Sequence, residues 1–163
     1  MTVHPIEPLY DERSEILILG SFPSVKSREA GFFYGHPQNR FWRVMARICG
    51  CETPGTVQDK KKMLLENRIA LWDVIHSCEI VGSSDSSIKN VIPNDLTEIL
   101  EKADIRHIFV NGKKAEALYQ KYIEKETGIH ASVLPSTSPA NAMWSEDRLF
   151  EEWKAKIRIY LNS

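Results

Sequence analysis

Ile16-Leu17-Ile18-Leu19-Gly20-Ser21-Phe22-Pro23-Ser24 is the stretch on which the fold of this 163-residue chain turns. An unbroken apolar run has no polar face to give to water, so it reads as a strand covered on both sides, and the small-residue turn that follows ends it. A loop rich in aromatic and amide side chains, Phe33-Tyr34-Gly35-His36-Pro37-Gln38-Asn39-Arg40-Phe41-Trp42, then runs directly into a helix. That is the make-up of a pocket wall, and its mixture of flat faces and amides suits a nucleobase.

Outward from this stretch, apolar runs alternate with amphipathic segments. The candidate strands are Glu15–Leu19, Ile69–Ile75, Arg106–Val110 and His130–Leu134. Helical spacing aligns Phe41, Met45 and Ile48; then Leu96, Ile99 and Leu100; then Ala115, Leu118 and Tyr122. Leu149, Trp153, Ile157 and Tyr160/Leu161 form a last stripe, preceded by Ser145 as an N-cap and by Glu146 and Asp147, which suit a helix start. Strands separated by helices predict a three-layer α/β sandwich: a central, mainly parallel four-stranded sheet flanked by helices, as one domain over residues 1–163. In such sheets ligands bind beyond the carboxyl ends of the strands. The turns that would meet there are Gly20–Ser24, Asp73–His76, Asn111–Lys114 and Pro135–Asn141. Val81–Ser87, too polar to bury, reads as a mobile loop.

Composition narrows the class. The net charge of -1 argues against a protein coated in positive charge, although Lys26, Arg28, Arg40, Arg43 and Arg47 crowd around the pocket loop and Lys113 and Lys114 form a second cluster. Each cluster reads equally as a solvated helix face. Cys49, Cys51 and Cys78 are odd in number and lack paired C-x-x-C spacing, so neither a disulfide framework nor an all-cysteine zinc or iron–sulfur site is expected. The first residues have neither the basic segment nor the apolar core of a signal peptide, and no apolar run approaches the ~20 residues of a membrane span. A cytoplasmic, monomeric protein with no membrane contact is the expectation.

With these residues in view, the chain resembles the uracil-DNA glycosylase superfamily, and most closely its hypoxanthine-DNA glycosylase branch. The resemblance rests on Gly20–Ser24 as first motif, Pro37-Gln38-Asn39-Arg40-Phe41-Trp42 after it, Asn111-Gly112-Lys113 after a strand, and Ser136-Thr137-Ser138-Pro139-Ala140-Asn141 as second motif. It implies a monofunctional glycosylase without metal or redox cofactor, which flips a deaminated base out of DNA and hydrolyses its N-glycosidic bond. Two positions depart from the superfamily pattern. Phe22 stands where an Asp or Asn commonly handles the attacking water, and Leu134 stands where a His commonly opens the second motif.

The resemblance moves the catalytic amide to Asn39, which would orient water through its oxygen or bind the departing base through its NH2. The same residue is placed to cap the following helix. Gly20, Ser21, Phe22, Pro23, Phe33, Tyr34, Asp73 and Asn111 are expected around the base, with Phe33 stacking on it and Asp73 reading its edge; a helix cap or an ion pair is the other reading of Asp73. Ser24, Lys26, Arg40, Arg43, Lys113, Ser136, Thr137, Ser138 and Asn141 are expected to meet DNA, and Met143 to wedge into the gap left by the flipped nucleotide. His36 is a lesser candidate for a proton donor or phosphate contact. Alternatives are a uracil- or mismatched-thymine-DNA glycosylase on the same fold, and a non-catalytic binder of damaged or single-stranded nucleic acid.

Overall fold

The structure, a computed structural model, describes residues 1–161. In chain order its elements are β1 (Thr2–Val3), β2 (Ile16–Gly20), α1 (Val25–Ala30), α2 (Phe41–Cys49), α3 (Val57–Glu66), β3 (Ile69–Asp73) and β4 (Ile75–Glu79). There follow a 3-10 turn (Asp85–Ser87), β5 (Lys89–Pro93), α4 (Thr97–Lys102), β6 (His107–Asn111), α5 (Lys113–Tyr122), α6 (Glu124–Thr127), β7 (Ser132–Leu134) and α7 (Glu146–Leu161).

The central sheet has four parallel strands in the order β3-β2-β6-β7. Side chains alternate across a strand, so β2 feeds two cores at once. Ile16 and Ile18 pack with Ile69, Leu71 and Phe109 against α2, α3 and α7. Leu17 and Leu19 pack with Ala70, Ile108 and Val110 against α5 and the start of α4. This is the three-layer α/β sandwich expected from the apolar runs. Because chain order reverses between β2 and β6, the carboxyl ends of these two strands diverge around a crevice, the usual ligand position in an open parallel sheet.

Four features differ from the sequence expectation. The run Ile69–Ile75 is not one strand: it ends at Asp73, Val74 donates to Gly20 O at 2.8 Å, and the chain re-enters a second sheet as β4. Asn94 Nδ2 holds this corner by donating to the carbonyls of Asp73 (2.8 Å) and Ile75 (3.1 Å), a contact across about twenty residues that periodicity does not register. The second sheet, β1-β4-β5, is antiparallel and was not expected. Helices α1 and α3 were also unexpected, since α1 buries Ser27 alone and α3 only Met63 and Leu64. His130–Leu134 forms a strand only from Ser132.

The last helix starts as its sequence indicates: Ser145 Oγ accepts from Arg148 N at 3.1 Å. Its Trp153 is fully buried, packs edge-on to Phe41 of α2, and donates from Nε1 to Pro135 O at 2.8 Å. One indole therefore joins a helix–helix contact to the loop beyond β7. Trp153→Ala should cost about 3–5 kcal/mol of unfolding free energy in urea titration, and Trp153→Phe less, because it keeps most of the apolar contact.

Candidate active site

A cavity of about 350 Å³ opens where the carboxyl ends of β2, β3 and β6 meet, near the lower end of the roughly 300–1,000 Å³ of small-ligand sites. Its walls are the turn at Gly20–Ser24, the loop carrying Phe33, Tyr34 and Asn39, the strand ends Asp73 and Asn111, and the turn at Ser136–Ala140. All four strand-end turns do not contribute equally. Asp73 comes from the second, whereas His76 lies on β4, away from the cavity.

Asn39 sits immediately before α2, half-buried, on the cavity wall. Its Oδ1 accepts from Phe41 N, the first amide of α2, at 2.9 Å, although the N-cap position itself is Arg40, so this contact and the cavity position coexist. The bond fixes the rotamer and leaves Nδ2 without a protein partner among the described residues. A donor pair held this way suits a site where negative charge develops.

Arg40, next along, is a clamp. Its backbone N donates to Thr137 O at 3.1 Å, and its guanidinium donates to the carbonyls of Thr137 (3.4 Å), Ser138 (2.8 Å), Asn141 (3.1 Å) and Trp144. Those donors are thereby occupied inside the protein rather than offered to phosphate. Asn111 ties the same loop from the other side: Oδ1 accepts from Thr137 N at 3.1 Å, and Nδ2 donates to Thr137 Oγ1 (3.0 Å) and Tyr34 Oη (3.1 Å). Thr137 is fully buried, so of the three motif hydroxyls those of Ser136 and Ser138 are the ones near the surface. Asn141 Nδ2 closes the loop on Ser136 O at 3.0 Å.

Asp73, 4% exposed, lines the cavity floor, and behind it, outside the cavity lining, lies His4, whose Nε2 is 2.7 Å from Asp73 Oδ2. Gly20 must be glycine here, because a Cβ would stand 2.4 Å from Asp73 Oδ1 and 2.9 Å from Tyr34 Oη. Tyr34 adopts a left-handed φ of 51° while its ring stacks on Phe41 at 4.2 Å, a strained backbone held by packing at a cavity wall. Burial pushes the Tyr34 hydroxyl pKa up, and the charge of Asp73 adds to this, so the phenol stays protonated and can donate. Phe33 is buried at 2% exposure, edge-on to Phe32. Phe22 is the more accessible ring, packed edge-on to His4 with the Arg28 guanidinium 5.4 Å from its centre.

At the rim lies a carboxylate that the sequence did not single out. Asp85 Oδ1 accepts from Ser21 Oγ at 3.3 Å, and the segment expected to be mobile is pinned around it: Val25 N donates to Ser83 Oγ (2.9 Å) and Arg28 Nη2 to Gly82 O (3.2 Å). Polar residues that cannot form a core are here held by tertiary hydrogen bonds. Asp85 as a residue is exposed, yet loss of water around its carboxyl raises its pKa, against the opposing effects of the Ser21 hydroxyl and Lys114.

The basic cluster is largely absorbed by helix pairing. Arg43 Nε meets Glu146 Oε1 at 2.7 Å and Arg47 Nη1 meets Asp147 Oδ1 at 2.8 Å, joining α2 to α7. Lys26 and Lys113 are exposed without ion pairs among the described residues. Ser24 caps α1 by accepting from Ser27 N at 3.2 Å, and Met143 projects at 87% exposure. The cysteines are free thiols, with burial pushing Cys49 up to about 12, well away from nucleophile range.

Two outcomes test this geometry. Arg40→Ala leaves several carbonyls without partners and should lower stability by about 2–4 kcal/mol in chemical denaturation, with Arg40→Lys recovering only part because an ammonium cannot fork. For Asp85, a folded pKa above the unfolded one means a contribution that is full at low pH and lost as pH rises through the folded value. Asp85→Asn should therefore raise the melting temperature at pH 8 relative to the parent, the gain shrinking as pH falls toward about 4; a pH-independent difference would contradict this.

Comparison with known proteins agrees with this architecture. Residues 7–162 match the family model described as the uracil DNA glycosylase superfamily. A hypoxanthine DNA glycosylase of Methanosarcina acetivorans is 40% identical over 150 residues, covering 91% of this chain and 93% of the relative. A hypoxanthine DNA glycosylase of Methanosarcina barkeri is 35% identical over 136 residues, covering 82% and 85%. An NMR structure of a candidate uracil DNA glycosylase from Methanosarcina acetivorans superposes with a TM-score of 0.81 at 38% identity, over 95% of this chain and 96% of that one. A chain with this parallel sheet, this strand-end cavity and these relatives belongs to the uracil DNA glycosylase superfamily.

Proposed function

We propose that this protein is a DNA glycosylase that removes a deaminated base, hypoxanthine in the first instance, from DNA and leaves an abasic site. The observation that carries the proposal is the Asn39 carboxamide, locked by the Phe41 amide at 2.9 Å on the wall of a nucleobase-sized cavity. The naming of the two Methanosarcina relatives as hypoxanthine DNA glycosylases supports it.

A base stacked inside a duplex cannot enter a cavity, so the nucleotide must swing out of the stack. Met143 would fill the space it leaves, a role supported by its high exposure beyond the second motif. In the reaction the C1′–N bond breaks with its electron pair going to the base, and a sugar cation develops. Water adds through oxygen to C1′ and gives up a proton, and the departing base takes one up. Asn39 Nδ2 donates to the base as it gains the electron pair, while the second lone pair of Oδ1 remains for a water. Compact donors at Ser136 and Ser138 suit a phosphate drawn against the second motif. Among the described residues no helix is long and apolar enough to cross a membrane.

Asn39→Ala should lower the single-turnover rate on inosine-containing DNA by about 10²–10³-fold, since a well-placed donor is worth about 3–4 kcal/mol. DNA affinity should stay near the parent value, and a rate loss of less than severalfold would overturn the assignment. Lys113→Ala should weaken binding to all sequences alike and flatten the log–log salt dependence by about one unit, whereas Arg43→Ala, already paired with Glu146, should change the slope less.

A further inference from the structure

Asp73 at the floor of the cavity is paired with a buried imidazole. His4 and Asp73 are 69 residues apart in sequence, and their side chains are 1% and 5% exposed. The imidazole is held from three sides by the rings of Phe22, Phe33 and Trp72, with centroids 5.9–6.3 Å away. Its Nδ1 accepts from the backbone N–H of Ile6 at 3.2 Å. An amide on Nδ1 assigns the proton of the neutral ring to Nε2, which then donates to Asp73 Oδ2 at 2.7 Å. One carboxylate oxygen is thus taken as an acceptor. The other, Oδ1, has no hydrogen-bond partner among the described residues and borders the cavity beside Gly20.

We propose that His4 is a positioning residue that holds Asp73 as a hydrogen-bond acceptor at the cavity floor and so selects bases whose ring nitrogen carries a proton beside a carbonyl. The inference rests on the glycosylase reading of the site. Its chemical content matches the deamination of adenine and of cytosine. Converting adenine to hypoxanthine turns N1 from an acceptor into an N–H donor, and converting cytosine to uracil does the same at N3. Asp73 Oδ1, an acceptor, would meet adenine N1 or cytosine N3 lone pair to lone pair and the deaminated bases through a charge-assisted hydrogen bond. Sites built around such a bond discriminate strongly against analogues that cannot make it. Guanine offers the same N1–H and carbonyl, so its rejection rests on the 2-amino group rather than on Asp73. The acceptor therefore admits hypoxanthine, xanthine and uracil as a class and leaves the choice among them to the shape of the walls.

The N-terminal segment acquires a purpose in this arrangement. β1 pairs with β4, and His4 N donates to His76 O at 2.6 Å, which delivers the imidazole behind Asp73.

The test measures single-turnover excision from oligonucleotides containing inosine, uracil, xanthosine or adenine. Asp73→Asn, able to present an NH2 to an unprotonated ring nitrogen, should narrow the hypoxanthine-to-adenine rate ratio by at least about 10-fold. His4→Phe should narrow it in the same direction, and His4→Gln, which restores an N–H toward Oδ2, should recover part of the ratio. A ratio unchanged in the folded Asp73→Asn and His4→Phe proteins would overturn the inference. Should His4→Phe fail to fold, imidazole ¹⁵N shifts of the parent protein decide instead: an Nε2–H tautomer at neutral pH supports the proposal, and an Nδ1–H tautomer overturns it. Failure of the glycosylase reading is separate, since it would appear as no abasic product from any base with the parent protein.

Discussion

The site depends on one cation held among carbonyl oxygens. Arg40 leads α2 and reaches into the turn after β7, where its guanidinium donates to the backbone of Thr137, Ser138, Asn141 and Trp144. A loop has carbonyls that no sheet or helix satisfies, and a charged fork of donors answers several of them at once. Because Asn39 is the adjacent residue, its position relative to the second motif is set by that clamp. Asn111 repeats the tie from β6, and Trp153 from α7, so the loop is fastened by three elements that are far apart in sequence. The rigidity that results suits a site whose donors must already point at the reacting bond.

Charge is distributed in a way the totals conceal. The arginines around α2 serve Glu146 and Asp147 or backbone carbonyls, while two carboxylates, Asp73 and Asp85, line the cavity. Carboxylates facing a polyanion are unfavourable unless something offsets them. Asp73 has the imidazole N–H of His4, and Asp85 has the Ser21 hydroxyl with Lys114 near by. The two also differ in depth: Asp73 lies buried at the floor and Asp85 at the exposed rim.

The two departures from the superfamily pattern have packing reasons. Phe22 cannot handle water, but its ring forms part of the enclosure around His4 and carries Arg28 on its face. Leu134 is fully buried at the end of β7, where its carbonyl accepts from Gly112 N at 2.8 Å. Gly112 has a φ of 97° and stands close to Ser136 Cβ, so this crossing of two turns tolerates only a small residue. Polar side chains reach the cavity from elsewhere in the chain, Asn39 and Asp73 among them.

The sequence by itself determined the central sheet, because unbroken apolar runs such as Ile16–Leu19 have to be buried on both faces, and it determined α2 and α7 through their apolar stripes and the Ser145 cap. It also located the cavity, since strand-end turns of a parallel sheet converge. What tertiary structure alone decided were contacts between residues distant in the chain: His4 against Asp73, Asp85 against Ser21, Arg40 against the second motif, and the corner at Val74 that starts a second sheet. Periodicity reports which face a residue turns toward the core, and it carries no information about which polar partner waits there. Arg40 illustrates the difference, for its sequence position beside a pocket loop suggested a phosphate contact, while folding brings four carbonyls within its reach first.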